Sequence, residues 1–155
     1  MTILGVDNGL MGCLAFYDEA ELILHDMPIF NGDKKALDLQ RIKAIMATDM
    51  PTHVYIEKLT PLPQISGVSG FSMGVSEGSF LGILTGLNIP YTMVRPAVWK
   101  KFFNCPADKD AARQKASQLL PQFAHNWPLK KHDGRAESSL IALYGMYQEK
   151  GKINL

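Results

Sequence analysis

The chain opens with short apolar runs and turns later to longer repeats of helical period. Ile3, Leu4 and Val6 lie in a nearly continuous apolar run, the pattern of a strand covered on both faces, and Asp7, Asn8 and Gly9 follow it. Residues 11–17 and 22–27 read as second and third strands divided by an acidic turn over 18–21, which makes an antiparallel meander. A helix is expected over residues 34–48, capped by Asp33, with Leu39, Ile42, Ile45 and Met46 on its apolar side and Pro51 beyond its end. Residues 53–56 then form a fourth strand, which ends in Glu57.

Residues 58–70 are rich in Pro, Gly and Ser, have no clear period and read as a loop beside Glu57. The helical stretch that follows carries Gly70, Gly74, Gly78, Gly82 and Gly86 at intervals of four. A glycine inside a helix costs about 1 kcal/mol against alanine. Intervals of four put the glycines in one stripe, so a second backbone is expected to approach closely there, within the fold or across a dimer interface. Glu77 and the polar residues of this stretch argue against a membrane reading of the pattern. Residues 91–94 give a fifth strand, and Pro96 suits the first turn of a short helix bearing Trp99, Lys100, Lys101, Phe102 and Phe103. Asp108 is the expected cap of a helix running to Leu120, with Ala112, Ala116, Leu119 and Leu120 inward. Leu140, Ile141, Leu143, Tyr144 and Tyr147 mark a last helix after Asp133.

Composition narrows the class. With 155 residues and 46% hydrophobic content the chain suits one domain, residues 1–155. Nothing near Met1 reads as a signal or transit peptide, and no apolar run approaches the ~20 residues of a membrane span, so a soluble cytoplasmic protein is expected. Cys13 and Cys105 stand alone, without zinc spacing, and fit reduced thiols. The net charge of +1 hides a division: residues 1–94 hold five basic and ten acidic side chains, residues 95–135 nine basic and three acidic. That division fits a phosphate-rich partner on one side, and equally an ordinary solvated helix surface.

The candidate chemistry lies in carboxylates. Asp7 closes its strand as part of an Asp-Asn-Gly hairpin turn, and the same position holds it at the sheet rim within reach of a metal or ligand. An acidic residue there is costly to keep ionised unless a cation, a donor or water meets it. Glu57 ends a second buried-type strand, and acidic residues at the ends of neighbouring central strands would form the floor of a divalent-metal site. Asp133 read alone is an N-cap. Asp133 and Glu137 are four apart, so on a helix already begun they share one face.

Taken together the residues carry a resemblance. GVDNG after the first strand, YIEK after the fourth, FSMGVSEGSFLGIL, IPYTMVRPAVWKKFF, DKDAARQKASQLLP and KKHDGRAESSLIALYG span nearly the whole chain. In order and spacing the set resembles the RuvC-type Holliday junction resolvases of the ribonuclease H-like superfamily, most of all their compact phage and bacterial relatives. The resemblance implies an α/β, ribonuclease H-like fold: a mixed five-stranded sheet, its first three strands antiparallel, flanked by helices. It implies Asp7, Glu57 and one or both of Asp133 and Glu137 as ligands of two Mg²⁺ ions, with Mn²⁺ able to substitute. It also implies Lys101 and Lys109 as charge stabilisers near the scissile phosphate, and Lys100, Arg113, Lys130, Lys131 and Arg135 on the DNA backbone. The partner so implied is four-way branched DNA, and the assembly a homodimer, for which the helix around Gly74, Gly78 and Gly82 is the expected interface.

The chain departs from the pattern in three places. Asn8 stands where many relatives have Pro. Glu137 stands where the bacterial enzymes typically have Asp, which leaves open whether it or Asp133 lies closer to a metal; His132 beside them reads either as a proton carrier or as an exposed bystander. The bacterial enzymes place an aromatic wedge soon after the Glu, and here Phe71 or Leu62 would have to replace it. Three other readings stand beside the resolvase: a nuclease of the same fold acting on RNA or other branched DNA, a junction-binding protein without catalysis, and a fragment of a sugar-kinase or actin-like ATPase. The last needs a second lobe that 155 residues cannot hold.

Overall fold

The computed structural model describes residues 1–32, 35–60, 63–106, 108 and 110–153. Strands β1 (Ile3–Asp7), β2 (Cys13–Tyr17) and β3 (Leu22–Asp26) form the expected antiparallel meander, with Ile3 opposite Tyr17 and Asp7 opposite Cys13. The next segment differs from expectation. A hairpin of β4 (Ile29–Asn31) and β5 (Lys35–Leu37) occupies the start of the expected helix, and α1 (Leu39–Asp49) begins only after it. Asp33 and Lys34, the expected cap and first residue, lie outside the described residues. The cap is Asp38, whose side chain accepts the Arg41 N–H at 3.0 Å. Leu39, at the helix start, is exposed, while Ile42 and Met46 are fully buried.

Strand β6 (His53–Glu57) runs parallel to β1, with Ile3 beside His53 and Val6 beside Ile56. Helix α2 (Gly67–Gly86) starts earlier than expected because Ser66 caps it, accepting the Ser69 N–H at 3.2 Å, so the preceding loop is shorter. Strand β7 (Tyr91–Val94) joins β6 in parallel, giving a mixed five-stranded sheet in the order β3-β2-β1-β6-β7. Helix α3 (Pro96–Phe102) has Pro96 in its first turn, as expected. Helix α4 (Ala111–Leu119) has Asp110 rather than Asp108 at its N-cap position. Ala112, Ala116 and Leu120 are buried there, whereas Leu119 faces water because the chain leaves helical geometry at Leu120 to turn that side chain inward. Two short 3₁₀ turns lead to α5 (Asp133–Ile153). No helix among the described residues is long and apolar enough to cross a membrane.

Each face of the sheet has its own core, as period-two alternation requires. Leu4, Val6, Leu14, Val54 and Ile56 pack with Ile42, Met46, Phe80 and Leu84 of α1 and α2. Ile3, Ala15 and Tyr55 pack on the other face with Trp99, Leu140 and Ile141. Fully burying one such aliphatic side chain contributes about 1.5–3 kcal/mol. Helix α5 lies against β1 so closely that a Cβ on Gly5 would stand 2.1 Å from the Ser138 carbonyl oxygen and 2.4 Å from the Ala142 nitrogen. Near its start, a Cβ on Gly134 would stand 2.5 Å from the Met11 carbonyl oxygen. These approaches fix the first turns of α5 over the turn that follows Asp7.

The glycine stripe of α2 does not mediate close packing inside the fold. A Cβ on Gly74, Gly78, Gly82 or Gly86 would meet nothing within 4 Å, and one on Gly70 only Ile65 Cγ2 at 3.8 Å. Phe80 and Leu84 turn the opposite face of the helix into the core. If that stripe faces only water, Gly78→Ala is expected to raise stability by about 1 kcal/mol, the helix-propensity difference. Urea unfolding reads the change, and a loss of stability instead would mean that a second surface is pressed against the stripe.

Candidate active site

Parallel pairing of β1 and β6 brings Asp7 and Glu57 out at the same edge of the sheet, and α5 begins beside them with Asp133 in its first turn and Glu137 one turn on. Asp7, Asp133 and Glu137 line one cavity of about 810 Å³, whose walls include β5 and α2. Burial raises the Asp7 carboxyl from its ordinary 3.8 to about 7, helped by the negative charges of Glu137 and then Glu57. The Gly9 N–H, 3.3 Å from Asp7 Oδ1, and the Lys100 charge oppose that rise. Burial also raises Glu57, with Glu137 adding to the effect, while the Trp99 hydrogen bond and Lys100 pull it down. Asp7, Glu57 and Glu137, far apart in sequence, therefore act as one electrostatic unit.

Asp133 stands apart from that unit. Arg113 Nε lies 2.8 Å from Asp133 Oδ1, and the same guanidinium bonds Asp110. The charge of Asp133 is not among the causes of the Asp7 or Glu57 shifts. Of the two acids left open by the sequence, Glu137 is thus the one whose charge raises Asp7 and Glu57.

The basic candidates divide by position. Lys100 reaches the acids, its Nζ 3.4 Å from Glu137 Oε1, whereas Lys101, the next residue on α3, is exposed. Lys109 lies outside the described residues. Arg113 is held by Asp110 and Asp133, and Arg135 makes two 2.6 Å bonds to Asp26 and a third to the Asn126 carbonyl. Lys130 and Lys131 are exposed, Lys130 3.5 Å from Asp110. His132 lines a separate cavity of about 280 Å³ with Asp26 and Arg135, and its Nδ1 accepts the Leu129 N–H. Phe71 is 76% exposed near the start of α2, and Leu62 lies outside the described residues.

Two residues that the sequence reading left out of the site hold it together. Trp99 is fully buried, and its Nε1–H donates to Glu57 Oε1 at 3.0 Å. Asn8 is also fully buried: its Nδ2 donates to the Glu57 carbonyl at 3.2 Å, and its own carbonyl accepts the Ser76 hydroxyl at 2.7 Å. The signal for Trp99 was general, since a buried indole N–H needs an acceptor. For Asn8 it was the presence of an amide where a turn needs only a permissive backbone.

The donors suit a hard divalent cation. They are carboxylate oxygens, Asp7 is raised to about 7 by burial first and then by the charges of Glu137 and Glu57, and the buried Asn8 Oδ1 has no hydrogen-bond partner. Among the described residues no three His, Cys, Asp or Glu side chains already stand close enough together to hold an ion.

No protein-family model matches the chain, and no curated protein matches it in sequence. Solved structures match it in fold. A structure of Thermus thermophilus RuvC in complex with a Holliday junction substrate superposes with a TM-score of 0.66 at 19% identity, covering 97% of this chain and 96% of that one. Another Thermus thermophilus RuvC structure gives 0.63 at 16% identity, covering 97% of both chains. The yeast mitochondrial Holliday junction resolvase Ydc2 gives 0.53 at 16% identity, covering 90% of this chain and 76% of that one. With its mixed sheet in the order β3-β2-β1-β6-β7 and α5 laid across β1, the chain has the fold of the RuvC-type Holliday junction resolvases.

Proposed function

We propose that the protein is a Mg²⁺-dependent endonuclease that resolves four-way DNA junctions by paired symmetric nicks, leaving 5′-phosphate and 3′-hydroxyl ends. The observation that carries the reading is that Asp7 and Glu57 end neighbouring parallel strands of a resolvase fold, with Glu137 on α5 near enough for its charge to raise both. These three residues would hold the cations, with Asp133 lining the same cavity as Asp7 and Glu137. Two bound Mg²⁺ ions supply neutralisation of the scissile phosphate, a more acidic attacking water and stabilisation of the leaving 3′ oxygen.

The chain's own residues prepare that chemistry. Asp7 must give up the proton that burial lets it keep near neutrality, so cation binding competes with protons below about pH 7. Lys100 balances part of the negative charge while the acids wait, and its ammonium is positioned to meet a phosphate. Lys130 and Lys131 offer exposed charge to the DNA backbone, and their contribution falls with salt. Arg113 and Arg135 would have to leave or share carboxylate partners to join them.

Paired nicks on symmetric strands call for two active sites. A homodimer through the outward face of α2 is supported by the open stripe at Gly74, Gly78 and Gly82 and by the exposed Phe71 and Val75. The test is a synthetic four-way junction with Mg²⁺ beside flaps, other branched DNA and RNA duplexes. The expected outcome is paired nicks in the junction, resealable by ligase, from a complex that sediments with two chains per junction. Preference for RNA or flaps would make the protein a different nuclease of this fold, and junction binding without Mg²⁺-dependent cutting would make it a binding protein only.

A further inference from the structure

We propose that Trp99 is a positioning residue, which together with Lys100 fixes where Glu57 and Glu137 stand before a cation arrives. The inference rests on the nuclease reading, because the cation concerned is the one that reading requires. Two consecutive residues of one short helix grip two acids from different elements. Trp99 Nε1–H donates to Glu57 Oε1 at 3.0 Å, at the end of β6, and Lys100 Nζ sits 3.4 Å from Glu137 Oε1, on α5. The two grips are themselves linked, since the Lys100 ammonium lies 5.1 Å from the centroid of the Trp99 ring.

The surroundings make the grip stiff. Trp99 is fully buried in the same core that packs α5 on the sheet, so its ring cannot swing. Its N–H has no water to turn to, and a buried donor that loses its acceptor is costly. The Lys58 N–H donates to the Val94 carbonyl at 2.8 Å, which ties the residue after Glu57 to the strand end from which α3 departs. Pro96 sets the first turn of that helix. With Oε1 engaged by the indole, the position of that oxygen is fixed and Glu57 Oε2 is free of that bond. Hydrogen-bond partners that orient metal ligands commonly change metal affinity 10–100-fold on removal.

The experiment uses the full chain without DNA. Mn²⁺ is titrated by calorimetry into the unmodified protein and into Trp99→Phe, which keeps an aromatic ring and loses the N–H. The expected result is about tenfold weaker Mn²⁺ binding by Trp99→Phe. In a Trp127→Phe background, where Trp99 is the remaining indole, Mg²⁺ is expected to shift the emission as the Glu57 carboxylate takes up the cation. That second measurement decides the matter alone if Trp99→Phe does not fold. Affinity within twofold of normal, whatever the change in melting temperature, overturns the inference and makes Trp99 a packing residue only; so does emission indifferent to Mg²⁺. An unmodified protein that binds no Mn²⁺ removes the nuclease reading and this inference with it, whereas normal Mn²⁺ binding by Trp99→Phe removes the inference alone.

Discussion

Asp7→Asn is expected to bind a four-way junction without cutting it and, with cations removed, to melt at a higher temperature than the unmodified protein at pH 8. Both effects come from the same buried carboxyl. Its folded-state pKa is raised from 3.8 to about 7, mainly by burial, so between those values the folded protein holds a proton that the unfolded chain has released. Stability from this group is therefore complete below about pH 4 and falls as pH rises to about 7. Above that, folding carries the full cost of a buried charge: three pKa units set an upper bound of about 4 kcal/mol. Asp7 keeps some contact with the cavity, so about half that figure is the reasonable expectation, or roughly 5 °C for a chain of this size. Asparagine never takes the charge. It also removes an anionic oxygen from the cation site, for which a loss of at least about a thousandfold in cutting is expected. Melting curves in EDTA at pH 5 and pH 8, beside junction cleavage, check the prediction. Cleavage within tenfold of normal would sink the assignment, and equal melting at pH 8 would mean that Asp7 is not the strained group.

Gly5→Ala is expected to cost at least about 3 kcal/mol, beyond the usual range for overpacking, because none of the three atoms in its way can rotate aside. Two are backbone, the Ser138 carbonyl oxygen and the Ala142 nitrogen, and the third is the Ala142 Cβ, fixed to that backbone. The clash can be relieved only by lifting α5 away from β1, and α5 carries Glu137. The variant should therefore lose about 10 °C or more of melting temperature. Cation binding should weaken in whatever fraction still folds. Circular dichroism on heating and Mn²⁺ titration read the two effects, and a melting point within 2 °C of the unmodified protein would show that the helix does not sit so near the strand in solution.

The sheet was legible in the sequence because its strands are apolar runs that end in turns or acids. Ile3 to Val6 and Val54 to Ile56 admit few other placements, and once they run in parallel Asp7 and Glu57 follow. The hairpin of β4 and β5 was missed because residues 34–39 fit a helix as well as a strand. The Asn31-Gly32 pair, a turn signal, competed there with the apparent cap at Asp33. Which of several acidic residues caps a helix depends on where the chain arrives, and that is a tertiary fact. The same limit explains Asp108 and Asp110.

Spacing also says which residues share a face without saying which way that face turns. The α2 glycines share one, as their intervals require, but Phe80 and Leu84 on the other side decided that the stripe looks outward. Lys100 and Lys101 could not be told apart for a related reason: neighbours on a helix point about 100° apart, and nothing within α3 says which direction faces the acids. Arg113 has one partner three positions away, Asp110, but its second, Asp133, and the Asp26 partner of Arg135 lie 20 and 109 positions away, beyond what local spacing shows.

Helix α3 spans only seven residues, and both of its grips sit on adjacent steps of it. A single residue inserted between Pro96 and Trp99 would rotate indole and ammonium together by about 100°, carrying both away from their acids in one genetic event. Drift in chain length among descendants of this sequence should therefore spare the seven-residue segment.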